Sequence, residues 1–600
     1  MPQSSGNRRT SLHRATAQTT VNPAAAPVVL RDYALLADGE RGVVIGPHGD
    51  LVWMCFPRWH DPALFSALVG GGGSYAVTPV ERHVWGGYYE PGSLIWRSRW
   101  VTNSAVIECR EALALPARTD RAIILRRIVA CRGAARVRCT LRTMADFGSA
   151  APLSMRREGD VWVVEHKGLG VRWSGAAKAR PVRGESGALE LEVLVAEGSH
   201  HDMVMAVEAT GIEEPLPEAD IAWSETEAGW ARRVPRLSGS LAPRDARHGC
   251  AVMLGLTSGD GGMVAAATTS LPESELGSTN YDYRFAWIRD QCYAGHTGLV
   301  AGVEELGQSA VTFVSQRLLA DGPQLKPAYT VTGGPVPDQR RLRLSGYPGG
   351  RDIVGNWVNQ QFQLDALGEA LLLFGAAAER DRLDLDGWKA LEVAVSAIER
   401  RWQEPDAGIW ELEPRHWTHS RLTCVAGLRA AARVAPGSSG VSSSWSTLAD
   451  TILAATGRSA VRDDGAWKRA RDDERIDAAL LLPTVRGAVA IEDPRSVATL
   501  TAVEEELVED GYLYRFRHDP RPLGEAEGAF LLCGFMMALR QHVGGDRVEA
   551  ARWFERTRAA CGPSGLFCEE YDVRQRQLRG NLPQAFVHAL LVEASVVLAT

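Results

Sequence analysis

Four segments beyond residue 279 concentrate the residue types that acid–base chemistry on a neutral, hydroxylated ligand requires. In NYDYRFAWIRD (Asn280–Asp290), Arg289 and Asp290 open a helix after an aromatic-rich loop. A charge pair there offers strong hydrogen bonds to hydroxyl groups; capping of a buried helix start is the equal alternative. In GYPGGRDIVGNWVNQQFQLD (Gly346–Asp365), Trp357 stands among the amides Asn356, Gln361 and Gln363. Amides beside an indole give directional donors and acceptors without net charge, which suits a sugar. A polar helix start accounts equally for half of them. In GIWELEPRHWTHS (Gly408–Ser420), Glu411 lies between Trp410 and Leu412. That apolar flank is of the kind that raises a carboxyl toward the value a general acid needs; a surface loop glutamate is the plain alternative. His416 and His419 find no third ligand at suitable spacing, so no metal site is expected. In LFCEEYDVRQRQLRGNLPQAF (Leu566–Phe586), Glu569 and Glu570 are adjacent on irregular backbone, so one is expected to face a cleft and the other an arginine. An acidic, solvated turn is the competing reading. Two glutamates in aromatic surroundings, about 160 residues apart, are what an acid/base glycosidase uses: one protonates the leaving oxygen, the other activates water.

Two kinds of element must hold these segments. From Val28 to about Gly239, short β-branched or apolar alternations recur between turns: Gly42–Ile45, Ala105–Arg110, Ala122–Val129, Ala135–Thr143 and Val161–Glu165 among them. That pattern predicts an antiparallel β-sandwich. Ile221–Pro235 reads as a helical linker. Past Cys250 no strand pattern is seen, and ten or more amphipathic stretches follow, from Arg289–Gly302 to Glu527–Gln541 and Leu582–Leu598. They predict a barrel of antiparallel helix pairs. The expected organisation is a disordered tail over 1–28, a sandwich over 29–218, a helical linker over 219–248 and the helical domain over 249–600.

Composition narrows the function. The net charge of −7 gives no field for nucleic acid or anionic lipid. No run of about 18 apolar residues exists to span a membrane. The ten cysteines show no CxxC pair or zinc spacing and read as reduced core residues of a cytoplasmic protein. Eighteen tryptophans outnumber thirteen phenylalanines and twelve tyrosines, which fits stacking on sugar rings as well as a large core.

The chain resembles glycoside hydrolase family 15 from about Leu30 onward. Arg31–Gly71, TTSLPE (Thr268–Glu273) with NYDYRFAWIRD, GIWELEPRHWTHS and CEEYDVRQRQLRGNLPQAFVH look like that family's motifs in order. The resemblance implies a sandwich packed on an (α/α)6 barrel and single-displacement, inverting hydrolysis of an α-glucoside, trehalose or a small malto- or isomalto-oligosaccharide. It carries the general acid onto Glu411 and the general base onto Glu569. Arg289 and Asp290 match the pair that binds the terminal sugar; Trp357, Gln361 and Trp410 follow as pocket residues, and Glu570, beside the base, is counted with the substrate-binding candidates. No cofactor is expected, and the partner is a small carbohydrate, with a second copy of the chain left open. Departures cluster beside the acid: IWELEPRHW is two residues shorter than the family's usual IWEVRGEPRHF, and GRDIVGN is one shorter than SRPVRIGN. They bear on the leaving-group side. A non-hydrolytic carbohydrate-binding protein, or a hydrolase for an unusual glycoside, is the alternative.

Overall fold

A computed structural model describes residues 27–274, 280–437, 439–518 and 520–600. The expected tail lies outside the described residues over 1–26. The N-terminal part is built of β1 (Ala34–Ala37), β2 (Gly42–Ile45), β3 (Asp50–Cys55), β4 (Ala63–Phe65), β5 (Ser74–Pro79), β6 (His83–Tyr89), β7 (Trp96–Thr102) and β8 (Val106–Leu113). There follow β9 (Arg121–Arg132), β10 (Ala135–Arg142), β11 (Ser154–Glu158), β12 (Val161–Glu165), β13 (Leu169–Ser174), β14 (Arg180–Pro181), β15 (Ala188–Val195) and β16 (His200–Ala209). One antiparallel sheet runs β1-β2-β3-β5-β10-β15-β14 with β4 on β3; the other runs β11-β12-β13-β16-β9-β8-β7-β6. Strand β10 shows the logic: Val137, Cys139 and Leu141 enter the sandwich core while Arg136 and Arg138 turn outward to Glu192. Across the core, Tyr75 accepts from Trp173 Nε1 at 3.1 Å.

Strands β1 to β3 break the inside-outside alternation because both of their faces are buried. Ala34, Leu36, Val43 and Ile45 join the sandwich core, whereas Leu35, Ala37 and Val44 join the core of the helical domain. Trp53 reaches across and donates to the Ala267 carbonyl at 2.9 Å. The two domains therefore share one apolar seam.

Helix α1 (Ala219–Arg233) starts on a Glu218 side chain that accepts from the Asp220 and Ile221 amides. The barrel helices are α2 (Pro243–Leu256), α3 (Ile288–Ala301), α4 (Glu304–Asp321), α5 (Asp365–Ala378), α6 (Leu385–Arg401), α7 (Thr418–Val434) and α8 (Ser439–Ser459). They continue with α9 (Leu481–Val485), α10 (Pro494–Leu507), α11 (Leu531–Val543), α12 (Arg547–Arg558) and α13 (Ala585–Val597). The odd-numbered helices α3 to α13 form an inner ring, each touching the next, and α13 closes on α3. The even-numbered ones lie outside, each against an inner partner. This is an (α/α)6 barrel. Inner α5 is buried from Asp365 to Ala377, whereas outer α6 buries only one stripe, including Leu391, Val395 and Ile398.

Two expectations need correction. Short strands do occur past Cys250, in the loops; one three-stranded piece pairs Ala529–Phe530, Glu570–Asp572 and Gln577–Arg579. The helix expected from Glu527 begins only at Leu531, because Ala529 and Phe530 are spent on that pairing.

Candidate active site

The loops that enter α3, α5, α7, α11 and α13 converge on one cavity of ≈350 Å³. The stretch before α3 alternates like a strand. Tyr281 and Tyr283 face the cavity, while Asp282 and Arg284 turn away and pair with each other at 2.7 Å. Arg284 continues into the sandwich, donating to the carbonyls of Trp59 at 3.2 Å and Asp61 at 3.1 Å. Asp282 also accepts from the Gly355 amide at 2.8 Å, tying down the loop that carries Trp357. The N-terminal domain thus fixes the aromatic floor of the site.

Glu411 sits in a tight loop closed by paired backbone bonds between Asp406 and Arg415. Asp406, buried, holds the loop from inside by accepting from Gly408 N at 3.0 Å, Ser420 Oγ at 2.8 Å and Arg421 Nη1 at 2.6 Å. Turning within this short span puts Glu411 at φ +55°. A non-glycine residue there costs on the order of 1–3 kcal/mol, a strain that clusters at functional sites. Its carboxylate accepts from Trp287 Nε1 at 2.6 Å and from Arg289 Nη2 at 3.4 Å. Both members of the apolar flank read from sequence, Trp410 and Leu412, line the cavity with it. Trp410 turns its ring edge-on to Phe530 and donates to Asp477 at 3.0 Å.

Glu569 and Glu570 diverge because Glu570 begins a strand, so the two side chains take opposite faces. Glu569 faces the cavity and accepts from the Tyr283 hydroxyl at 3.2 Å. Burial, then the charge of Glu273, pushes its carboxyl well above the ordinary range, with Arg515 opposing. Glu570 is turned away from the cavity, contrary to its expected place in the pocket: it is 1% exposed and accepts from the Gly528 amide at 2.7 Å.

The other expected residues, Arg289, Asp290, Trp357, Gln361 and Trp410, all line the cavity with the two glutamates. Arg289 is braced from below by Gln363 at 2.9 Å and Asp365 at 3.8 Å. Asp290 Oδ2 is buried and meets no hydrogen-bond donor among the described residues. Burial pushes its carboxyl up to about 6 against the pull of Arg289. An orphaned acceptor at the floor of a polar cavity calls for a donor from a ligand, and a sugar hydroxyl supplies one. Trp357 is half exposed and forms the rim. His416 and His419 part company: His416 binds the Gln403 carbonyl, and buried His419 approaches Thr423.

Comparison with known proteins identifies the family. The family model for glycosyl hydrolases family 15 matches residues 252–596, and a trehalase-like N-terminal model matches 15–169. A trehalase of Mycobacterium tuberculosis is 30% identical over 98% of this chain and 92% of its own. A trehalase of Mycolicibacterium smegmatis is 28% identical over 99% and 96%. The chain belongs to glycosyl hydrolases family 15. A bacterial glucoamylase complexed with acarbose superposes with a TM-score of 0.71 at 11% identity over 96% of both chains, a likeness of fold.

As a family 15 glycoside hydrolase, the protein acts on a carbohydrate. Several cavity residues of this hydrolase were not singled out by sequence. Tyr283 and Trp287 lie inside a highlighted motif, but which of its aromatics turn inward is decided by the alternation anchored on Arg284. Of Arg515 and Glu527, ion-paired across the cavity wall, the first sits in a segment with no periodicity to mark it and the second stands only as the first residue of an expected helix. Glu273, at the end of TTSLPE, closes the same wall, and that motif marks no one of its residues as a cavity residue.

Proposed function

We propose that the protein hydrolyses a small α-glucoside, trehalose foremost, with inversion, using Glu411 as general acid and Glu569 as general base. One observation carries this reading: two carboxylates face a single cavity, each held by its own aromatic donor, Trp287 for Glu411 and Tyr283 for Glu569. Those donors are four residues apart and pack edge-to-face with ring centres 5.5 Å apart. A sugar bound by Arg289 and Asp290 then lies between the glutamates. Glu411 gives its proton to the glycosidic oxygen as that bond breaks. Water attacks the anomeric carbon from the far side and gives its proton to Glu569. Glu411 ends as the carboxylate and Glu569 as the acid, and exchange with solvent resets both. Trehalose is favoured because the curated relatives spanning the whole chain are trehalases. Eight buried, unpaired cysteines fit a reducing compartment, hence a substrate found inside the cell.

The reverse assignment also has an observation behind it, since the elevated carboxyl is that of Glu569. Leaving-group chemistry separates the two. Glu411→Gln and Glu569→Gln should each lower turnover of trehalose by about 10²–10⁴. With α-glucosyl fluoride, whose departure needs little protonation, Glu411→Gln should recover activity and Glu569→Gln should not; the opposite pattern exchanges the roles. Proton NMR in the first minutes of hydrolysis should show β-glucose, and α-glucose as first product would refute inversion.

A further inference from the structure

The Tyr283 hydroxyl stands 3.2 Å from Glu569 Oε2 and 3.2 Å from Glu273 Oε1. A phenol has one proton, so it donates to one of the two carboxylates at a time, and the two compete for it. Neither carboxyl can retreat into bulk water, since Glu273 is 6% and Glu569 8% exposed. Gly580, at φ +92°, marks how closely the two are packed: a Cβ there would touch Glu273 Cγ and Glu569 Cβ, each at 3.6 Å.

Charge reaches Glu569 from three sides. The stretch entering α3 brings Glu273 and Asp290 beside Tyr283. The stretch before α11 brings Arg515, itself paired with Glu527, which also takes His518 at 3.1 Å. Its own strand brings Glu570, and Glu411 acts on Tyr283 from across the cavity.

We propose that Glu273 is a positioning residue for Glu569, acting through the shared Tyr283 hydroxyl and through its own charge, and that it sets the acid limb of activity. The proposal rests on Glu569 being the base. Glu273 gives up no atom. Its charge, 3.2 Å from the hydroxyl that Glu569 shares, adds to burial, the larger cause, in raising the proton affinity of Glu569. A base whose conjugate acid lies nearer the working pH draws the proton from water more strongly. Arg515 and the Tyr283 hydrogen bond pull the other way and keep the anion available.

The test is kcat/KM and kcat against pH with α-glucosyl fluoride, for wild type, Glu273→Gln, Glu273→Asp and Tyr283→Phe, with thermal melts alongside. Glu273→Gln should move the acid limb down by on the order of one pH unit and lower the plateau by about tenfold. Glu273→Asp, which keeps the charge, should hold the limb near wild type. Tyr283→Phe removes a bond that favours the anion and should move the limb up. A Glu273→Gln limb that coincides with wild type, or rises, overturns the proposal. If Glu273→Gln melts below the assay temperature, Tyr283→Phe decides, and an unmoved limb there overturns it. Full activity in Glu569→Gln would instead remove the reading of Glu569 as base, leaving the carboxyl pair itself untouched.

Discussion

At the scale of single residues, the site is a set of charges held where water would not put them. Arg289 is the clearest case, 5% exposed and touching Asp290, Asp365, Gln363 and Glu411 at once. Deleting its guanidinium strands carboxylates that have no other cation so close among the described residues. Arg289→Ala should therefore cost about 2–5 kcal/mol in transition-state binding, read as a fall in kcat/KM with kcat falling too. Wild-type kinetics with only a lower melting temperature would make Arg289 a structural brace. Asp290 tests the same floor from the other side: Asp290→Asn keeps the shape but offers an acceptor without charge, and should weaken KM more than kcat.

At the scale of elements, what matters is how short loops aim side chains. Gly408 sits at φ +69°, and a Cβ there would come within 2.7 Å of Trp417 Cδ1. Gly408→Ala must shift the loop that carries Glu411, so kcat should drop at least tenfold while calorimetry shows a loss of about 1–3 kcal/mol. Unchanged kcat would mean the loop tolerates displacement. The same loops explain what the sequence revealed and what it did not. Apolar and β-branched runs between turns made strands such as β8, β9, β10 and β12 readable, and a 3.6-residue period the long helices. It could not reveal α9, five residues long with Pro483 inside it, which has no room for a period. Among the candidate site residues, the glutamates, Arg289, Asp290, Trp357, Gln361 and Trp410 stood out because unusual chemistry was packed into few positions. The divergence of Glu569 and Glu570 was legible, with Glu569 on the cavity and Glu570 3.9 Å from Arg515, but the expected place of Glu570 in the pocket fails because strand alternation turns it to the other face. Arg515 and Glu527 were invisible because their significance lies in a pairing made by the fold.

At the scale of the whole molecule, the barrel interior carries titratable groups that have lost their water. Glu369, on inner helix α5, is pushed up to about 8 by burial, with Arg486 opposing. Unfolded, it titrates near 4.3. Between those values the folded chain binds the extra proton, so stability falls as pH rises. The melting temperature should decline from pH 6.5 to 8.5, and Glu369→Gln should flatten that decline; a variant falling as steeply as wild type would contradict it. The ring's closure has another consequence, for how the protein is made. The ring shuts when α13 meets α3, and outer α2 also rests on α13. In chain order α13 is the last barrel helix, and Glu569 lies in the loop sequence just ahead of it. At 5–20 residues per second, a ribosome needs roughly 15–65 s to travel from the end of α2 to the start of α13. Until then α2, and α3 once made, present a flank that α13 will cover, with Gly249 and Thr297 in it. No partial chain can have a working site, and every nascent chain passes through a window in which a chaperone has something to hold.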